Sequence, residues 1–346
     1  MTCTKYAFFS TDLTGALLLT PLAMITAPQA GVLVAYVLMV ISNALSTATT
    51  VFNGTDNAQI SRENPTYLSP DGATFSIWGF IYLFETFFVI YQALPRFADA
   101  AIFADGKTRQ WLATAFLVNA IWLPIFSYHR WWLSLIVIVG YLFALHKTYQ
   151  ALGVQYATSA AAAKATPTSV KVFAFTGISL NFAWVVVATL LNFTIVARNS
   201  GIIVTAVTTG NITATTAGTV GPLFQEAVIG GNVDWALAMG CVAAAIACYR
   251  AVLFADIPYS FVTSWALAGI YRMQMFADDK NFPVEGKSHD LATWALMLSL
   301  IVAAFGLFAL GKAVYTGCKR TEAKEAVDTG NSLTRRLSSE GNPARV

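Results

Sequence analysis

Three separate stretches of this chain each place a tryptophan at helical spacing from a small or polar side chain. In the run SIWGFIY, Trp78 and Tyr82 are four apart. In VNAIWLPIF, Asn119 and Trp122 are three apart. In FAWVVVATLLN, Trp184 and Ala188 are four apart, with Asn192 a further turn on. On a helix such spacings put both members on one face. Indole and phenol rings give flat apolar walls with an N–H or O–H at the edge, and small residues let a helix or a ligand come close. This set suits recognition of a flat, largely apolar molecule with a few polar edges, a tetrapyrrole or a sterol. The plainer alternative for the tryptophans is an interfacial belt or simple packing, which fits Trp131 and Trp132 beside Arg130 best. For Asn43, Asn119 and Asn192 it is hydrogen bonding between helices. Glu85 shares a segment with Trp78 and Tyr82. A carboxyl in the middle of a lipid-spanning segment is costly and is by default a functional candidate. It could contact a ligand amine, carry a proton, or stay neutral and bond to a neighbouring helix.

The elements that position these residues are membrane helices. The chain of 346 residues is 56% apolar and 11% charged, against roughly 25% charged in soluble domains. A span needs about 20 mostly apolar residues, and eight segments qualify: 31–49, 74–94, 110–128, 132–149, 172–195, 234–254, 258–275 and 291–312. The span 258–275, bracketed by Pro258 and Arg272, could also be a half-helix. The fold class is therefore all-α, a polytopic membrane helix bundle. A net charge of +3 does not suggest a nucleic-acid partner. Cys3, Cys241, Cys248 and Cys318 form neither a disulfide framework nor a zinc site. No catalytic triad, phosphate loop or metal set is legible, so the chain does not read as an enzyme. With eight spans, one side of the membrane holds both termini and most Lys and Arg. The other holds Arg62, Arg130, Arg198, Arg272, Lys280 and Lys287. This asymmetry places both termini in the cytosol. The sequons at Asn53 and Asn211 then fall on the opposite side, as N-glycosylation on the secretory route requires.

The runs SIWGFIY, VNAIWLPIF and AWVVVATLLN, in this order, resemble the second, third and fifth helices of the TspO/MBR family, the translocator protein or tryptophan-rich sensory protein. The resemblance covers residues 31–196. It implies a five-helix bundle with a pocket for porphyrins, sterols or synthetic ligands, closed by the loop between helices one and two. By position, Trp78, Tyr82, Asn119, Trp122, Trp184 and Ala188 match the family's motif and pocket positions, and 50–73 would be the lid. The chain departs from the pattern in two ways. The doubled proline usual before the second helix is missing, leaving Pro70 and Gly72, and three further spans follow the core. The resulting organisation is a lead-in (1–30), a TspO/MBR-like five-helix core (31–196), a Thr/Gly-rich loop (197–233), additional helices (234–315) and a disordered basic tail (316–346).

The function implied is a membrane-embedded binder of a hydrophobic small molecule, acting as sensor, scavenger or carrier. It needs no resident cofactor, takes haem, another porphyrin or a sterol as ligand, contacts the lipid bilayer, and is compatible with a homodimer. Light-dependent degradation of a bound porphyrin is the one enzymatic option. The competing classes are an ion-coupled secondary transporter using Glu85 and the Asp256/Arg250 region, and a structural membrane subunit. Lesser signals lie near the C-terminus. Leu310, Tyr315 and Lys319 fit a loose sterol-contact pattern, Cys318 is placed for palmitoylation, and Arg335–Arg336 precede the candidate phosphorylation sites Ser338 and Ser339.

Overall fold

The computed structural model describes residues 25–55, 57–94, 103, 106–153, 170–200, 233–277 and 286–340. The helices are α1 (Ala27–Ala48), the short α2 (Asn57–Glu63), α3 (Ile77–Ala93), α4 (Lys107–Ser127), α5 (Trp131–Ala151), α6 (Thr176–Asn199), α7 (Val233–Phe254), α8 (Ile257–Phe276) and α9 (His289–Glu340). A 3-10 turn, Gly72–Ser76, leads into α3, and a π turn, Val170–Phe175, leads into α6.

Local chemistry sets the ends. The Gln29 side chain accepts the Thr26 backbone N–H at 2.9 Å and Pro28 stands in the first turn of α1, so a freed donor is satisfied and φ is preset. In the same way the Asp256 carboxylate accepts the Tyr259 N–H at 3.3 Å, with Pro258 at the start of α8.

Seven helical segments are long and apolar enough to cross a membrane: Ala27–Ala48, Gly72–Ala93, Lys107–Ser127, Trp131–Ala151, Phe173–Asn199, Val233–Phe254 and His289–Thr316. The eighth expected span is α8, a full helix of 20 residues and not a half-helix. It is less apolar than the seven because, besides Arg272, it carries Ser260, Thr263 and Gln274. Ser260, Thr263 and Gln274 are buried against protein. The outward faces are apolar: Val34, Val37, Leu38 and Ile41 on α1, Phe80, Leu83, Phe87 and Ile90 on α3, and Leu133, Ile136, Val139 and Phe143 on α5. In water these surfaces would drive aggregation. They are the lipid contact of an integral, multi-pass membrane protein.

Five helices close a ring. α1 packs on α4, α4 on α5, α5 on α6, α6 on α3, and α3 back on α1. Within unit Met24–Gly306, α8 then packs on the outer side of α6, and α7 packs on α8. α6 is thereby enclosed on several sides, and 72% of its spanning window is buried. The ring closes tightly at Gly177, where a Cβ would sit 3.2 Å from the backbone of Phe84 and Glu85.

From Leu307 the chain forms a separate unit, in which α9 continues to Glu340. Composition alone predicts disorder in this tail, and the helix instead runs on through it to Glu340. The stretch TEAKEA supplies strong helix formers, and extension from an existing helix needs no new nucleus. The lead-in before residue 25, the linker 154–168, Asn211 in its loop, and the side chains of Cys318, Ser338 and Ser339 lie outside the described residues.

Candidate functional site

α3 and α6 lie side by side, so their inward tryptophans meet. Trp184, 1% exposed, stands edge-on to Trp78 with centroids 6.2 Å apart and planes at 79°. Trp78 stacks on Tyr82 one turn along at 5.3 Å and 22°. Phe75, from the 3-10 turn, meets Trp184 at 5.6 Å and 84°. Edge-to-face and stacked geometries are those that the ring quadrupoles favour. Ala188 is half-buried, one turn beyond Trp184 on α6. Three residues singled out from sequence, Trp78, Tyr82 and Trp184, are thus brought together. Phe75 joins them although no helical spacing could have linked a pre-helical turn to α6.

Two others are not brought into this cluster. Trp122 is buried, but its ring meets Phe126 at 5.7 Å. The Asn119 carbonyl oxygen accepts from Asn43 Nδ2 at 2.7 Å. The reason is the ring order: α4 turns its buried face toward α1 and α5, not toward α6. Asn192 exchanges hydrogen bonds of 2.8 and 3.1 Å with Ser134 and fastens α6 to α5.

A second set, polar this time, fills the centre of the ring. Tyr82 donates to Asn43 Oδ1 at 2.7 Å, so Asn43 links Tyr82 to Asn119. On the other side Tyr141 donates to Asn181 Oδ1 at 2.8 Å, and Asn181 Nδ2 donates to Glu85 Oε1 at 2.5 Å. Each of the five ring helices supplies at least one member. Asn181 and Tyr141 were not singled out from sequence. The usable signal was the three-residue spacing from Asn181 to Trp184 in an otherwise apolar run.

The segment 64–76, which takes in the last part of the expected lid (50–73) and the 3-10 turn that follows it, is held by α8 and by the end of α6. Arg272 donates to Asp71 through Nε at 3.0 Å and Nη2 at 2.9 Å, and to Thr74 Oγ1 at 3.0 Å. Gly269 accepts the Asp71 N–H at 3.1 Å, and a Cβ at Gly269 would collide with Thr74 and Pro70. Trp265 Nε1 donates to the Thr74 carbonyl at 2.9 Å, Gln274 to that of Tyr67 at 3.3 Å, and Arg198 to that of Pro65. Partial burial pushes the Asp71 carboxyl up. The Arg272 and Thr74 bonds outweigh it and hold the group below the usual carboxylate range. No sequence period connects residues 201 positions apart, so this clamp was invisible before folding.

The Asp256/Arg250 region is a closed joint. Asp256 Oδ2 accepts from Arg250 Nε at 3.1 Å, Arg250 Nη2 at 2.9 Å and Tyr149 at 2.8 Å. Its Oδ1 accepts from Ser179 and from the Tyr259 N–H. The guanidinium lies over the rings of Tyr149, Tyr259 and Phe182 at 4.3, 4.6 and 4.9 Å. A buried pair needs such full satisfaction to persist, and this one ties α7 and α8 to α5 and α6.

A cavity of about 20 Å³ lies away from the tryptophans, between Leu68, Val187, Leu190, Gly240, Ala243 and Leu267. That is room for about one water. The aromatic cluster itself is packed ring on ring. Among the described residues no group of three or more His, Cys, Asp or Glu could hold a metal. Asn53 is exposed, with φ 59°, and its Nδ2 donates to the Ser127 carbonyl at 3.1 Å. A glycan there would displace that bond.

Compared with known proteins, residues 29–224 match a family model described as TSPO-like protein, which is more than half of the chain. No curated protein and no solved structure matches.

Proposed function

The chain belongs to the TSPO-like (TspO/MBR) family, and from that premise we propose that it binds a flat, largely apolar molecule of porphyrin or sterol type at the Trp78–Tyr82–Trp184 cluster. It does so as a sensor, scavenger or carrier and not as an enzyme. The observation that carries this reading is the convergence of rings from α3, α6 and the 3-10 turn. Phe75, 38% exposed, and the half-buried Trp78 form its accessible edge. A flat guest slides between Phe75, Trp78 and Trp184 and exchanges ring–ring contacts for ring–ligand contacts. Ala188, one turn beyond Trp184, sets only a methyl group against it.

The chain's three histidines are His129, His146 and His289. His129 stacks on Trp131, and His146 lies against Phe182. None belongs to the cluster, and the Tyr82 hydroxyl is engaged with Asn43, so no imidazole there selects for iron, and a metal-free porphyrin suits the site as well as haem. The segment 64–76 closes the entrance, and α8 holds it.

The test is equilibrium titration of the purified protein in nanodiscs with protoporphyrin and, separately, a sterol, read by quenching of intrinsic fluorescence. Saturable binding weakened tenfold or more in Trp78→Ala, and unchanged in Trp132→Ala at an exposed belt position, supports the reading. Equal isotherms for the two variants refute it.

A further inference from the structure

Seven buried side-chain atoms find no hydrogen-bond partner among the described residues: Ser46 Oγ, Thr55 Oγ1, Glu85 Oε2, Asn119 Nδ2, Trp122 Nε1, Ser127 Oγ and His129 Nε2. A native interior leaves few such groups, and each calls for a reason. Six of the seven fall along one line. α1 and α4 run side by side in the same direction. At their first ends Gln29 donates to the Gln92 carbonyl at 2.9 Å, and Arg109 donates to the Gln92 side chain at 3.1 Å. Midway, Ser42 donates to the Ala120 carbonyl at 2.7 Å, beside the Asn43–Asn119 bond. At the last ends Asn53 donates to the Ser127 carbonyl.

Ser46 lies one turn past Asn43, and Trp122 lies one turn past Asn119. Thr55 and His129 each lie two residues beyond the Asn53–Ser127 bond. The residues that bear the unpartnered atoms therefore follow the hydrogen bonds between α1 and α4 from the middle of the bundle to the end that carries the α1–α2 connection, where His129 stacks on Trp131 at the start of α5. At the inner end Asn119 is joined through Asn43 to Tyr82, which stands one turn before Glu85 on α3.

We propose that Glu85 is a proton-binding site, reached by water along the α1–α4 seam from the face of the bundle bearing the α1–α2 connection. A buried polar group without a partner is costly. Buried waters are found where several such groups can share them, and this seam lines them up.

Glu85 itself is fully buried, and Oε1 takes the one amide donor while Oε2 takes none. The titratable groups facing it among the described residues are phenols: Tyr36 from α1, Tyr82 from its own helix and Tyr141 from α5. α6 offers the neutral Asn181, and the described side chains of the π turn packed on α3 are Phe173, Ala174 and Phe175. Among the described residues no cation faces an ionised carboxylate here, so charge neutrality comes from a proton added to Oε2. That proton is donated by hydronium in the seam and returned to water when it leaves. Oε1 keeps the Asn181 bond in both states. The alternative is an acid sealed from water and permanently protonated.

Two measurements on the full chain in nanodiscs separate these cases. The first uses single-cysteine versions in which Cys3, Cys241, Cys248 and Cys318 are replaced by Ser. Ser46→Cys and Ser127→Cys are treated with a small water-soluble thiosulfonate, which needs a hydrated, ionising thiol. Ile138→Cys, fully buried among apolar side chains, is the dry control. Reaction at the two seam positions on the order of tenfold faster than at Ile138→Cys is expected. Rates no faster than the control overturn the proposal.

The second follows the carbonyl stretch of a protonated carboxyl by infrared difference spectroscopy after transfer to D2O. The wild type should show a band that shifts rapidly, is missing in Glu85→Gln, and exchanges at least tenfold more slowly when Ser46→Leu plugs the seam. A band present in Glu85→Gln, or one that does not move in D2O, overturns it. Neither readout involves a bound porphyrin or sterol, so the result stands apart from the binding proposal.

Discussion

Replacing Arg272 by methionine should loosen the segment 64–76 and speed entry of a ligand to the aromatic cluster. The side chain makes two bonds to Asp71, at 3.0 and 2.9 Å, and a third to Thr74 at 3.0 Å. The Arg272 and Asp71 side chains are 32% and 22% exposed, so solvent screens part of the attraction. Their loss is worth about 1–2 kcal/mol of clamp strength, more than a fully exposed pair and less than a sealed one. A change of that size raises the open population roughly 5–30-fold. If opening gates entry, the association rate rises by the same factor while the contacts that hold the ligand stay intact. Stopped-flow quenching with protoporphyrin measures the rate, and hydrogen exchange of 64–76 measures the opening directly. Asp71→Asn should act in the same direction, and Asp71→Asn/Arg272→Met should cost little more than either alone, because both break one interaction. An unchanged association rate in both single variants, with faster exchange of the segment, would refute gating. Additive effects would refute the pair as the clamp.

Acid should open the same clamp. The Asp71 carboxyl is held below its ordinary range in the folded protein. Its contribution is therefore fully present above the unfolded value of about 3.9 and is lost as the pH falls through the lower folded value. Hydrogen exchange of 64–76, corrected for intrinsic rate, should accelerate below about pH 4 and lose that dependence in Asp71→Asn. Gly269→Ala should lower the melting temperature and loosen 64–76, because the new Cβ meets Thr74 and Pro70; overpacking of this kind costs about 1–3 kcal/mol, and a variant as stable as the parent contradicts the packing described. Asp256→Asn leaves Arg250 among rings without its counter-charge, at a cost of roughly 3–5 kcal/mol. Yield and thermal stability in detergent should fall sharply, and Asp256→Leu/Arg250→Met should recover much of the loss. A harmless Asp256→Asn would show that the joint is not what fastens α7 and α8.

The helices and the heart of the cluster were legible because they depend on local periodicity. Trp78 and Tyr82 share a face by spacing alone, and apolar length marks the spans. What spacing cannot give is which of a helix's buried faces meets which neighbour. Asn119 and Trp122 do share a buried face, but that face meets α1, so Trp122 ends against Phe126 and Asn119 joins a polar core. Glu85 stood out as a charge in an apolar run. Its partner Asn181 did not, since an amide beside a tryptophan looks like any interhelical polar residue. The grip of α8 on Asp71 and Thr74 is a purely tertiary fact. It explains why α8 can be polar on its buried side and still lie in a membrane bundle.

Where the guest sits can be read directly. A photoreactive porphyrin or sterol analogue is cross-linked to the purified protein in nanodiscs, and the adducts are mapped by mass spectrometry. Adducts in the peptides holding Phe75–Tyr82 and Trp184–Ala188, competed away by unmodified ligand, are the predicted result. Adducts confined to the Trp131–Trp132 belt, or spread without competition over the lipid-facing helices, would contradict the binding site at Trp78, Tyr82 and Trp184.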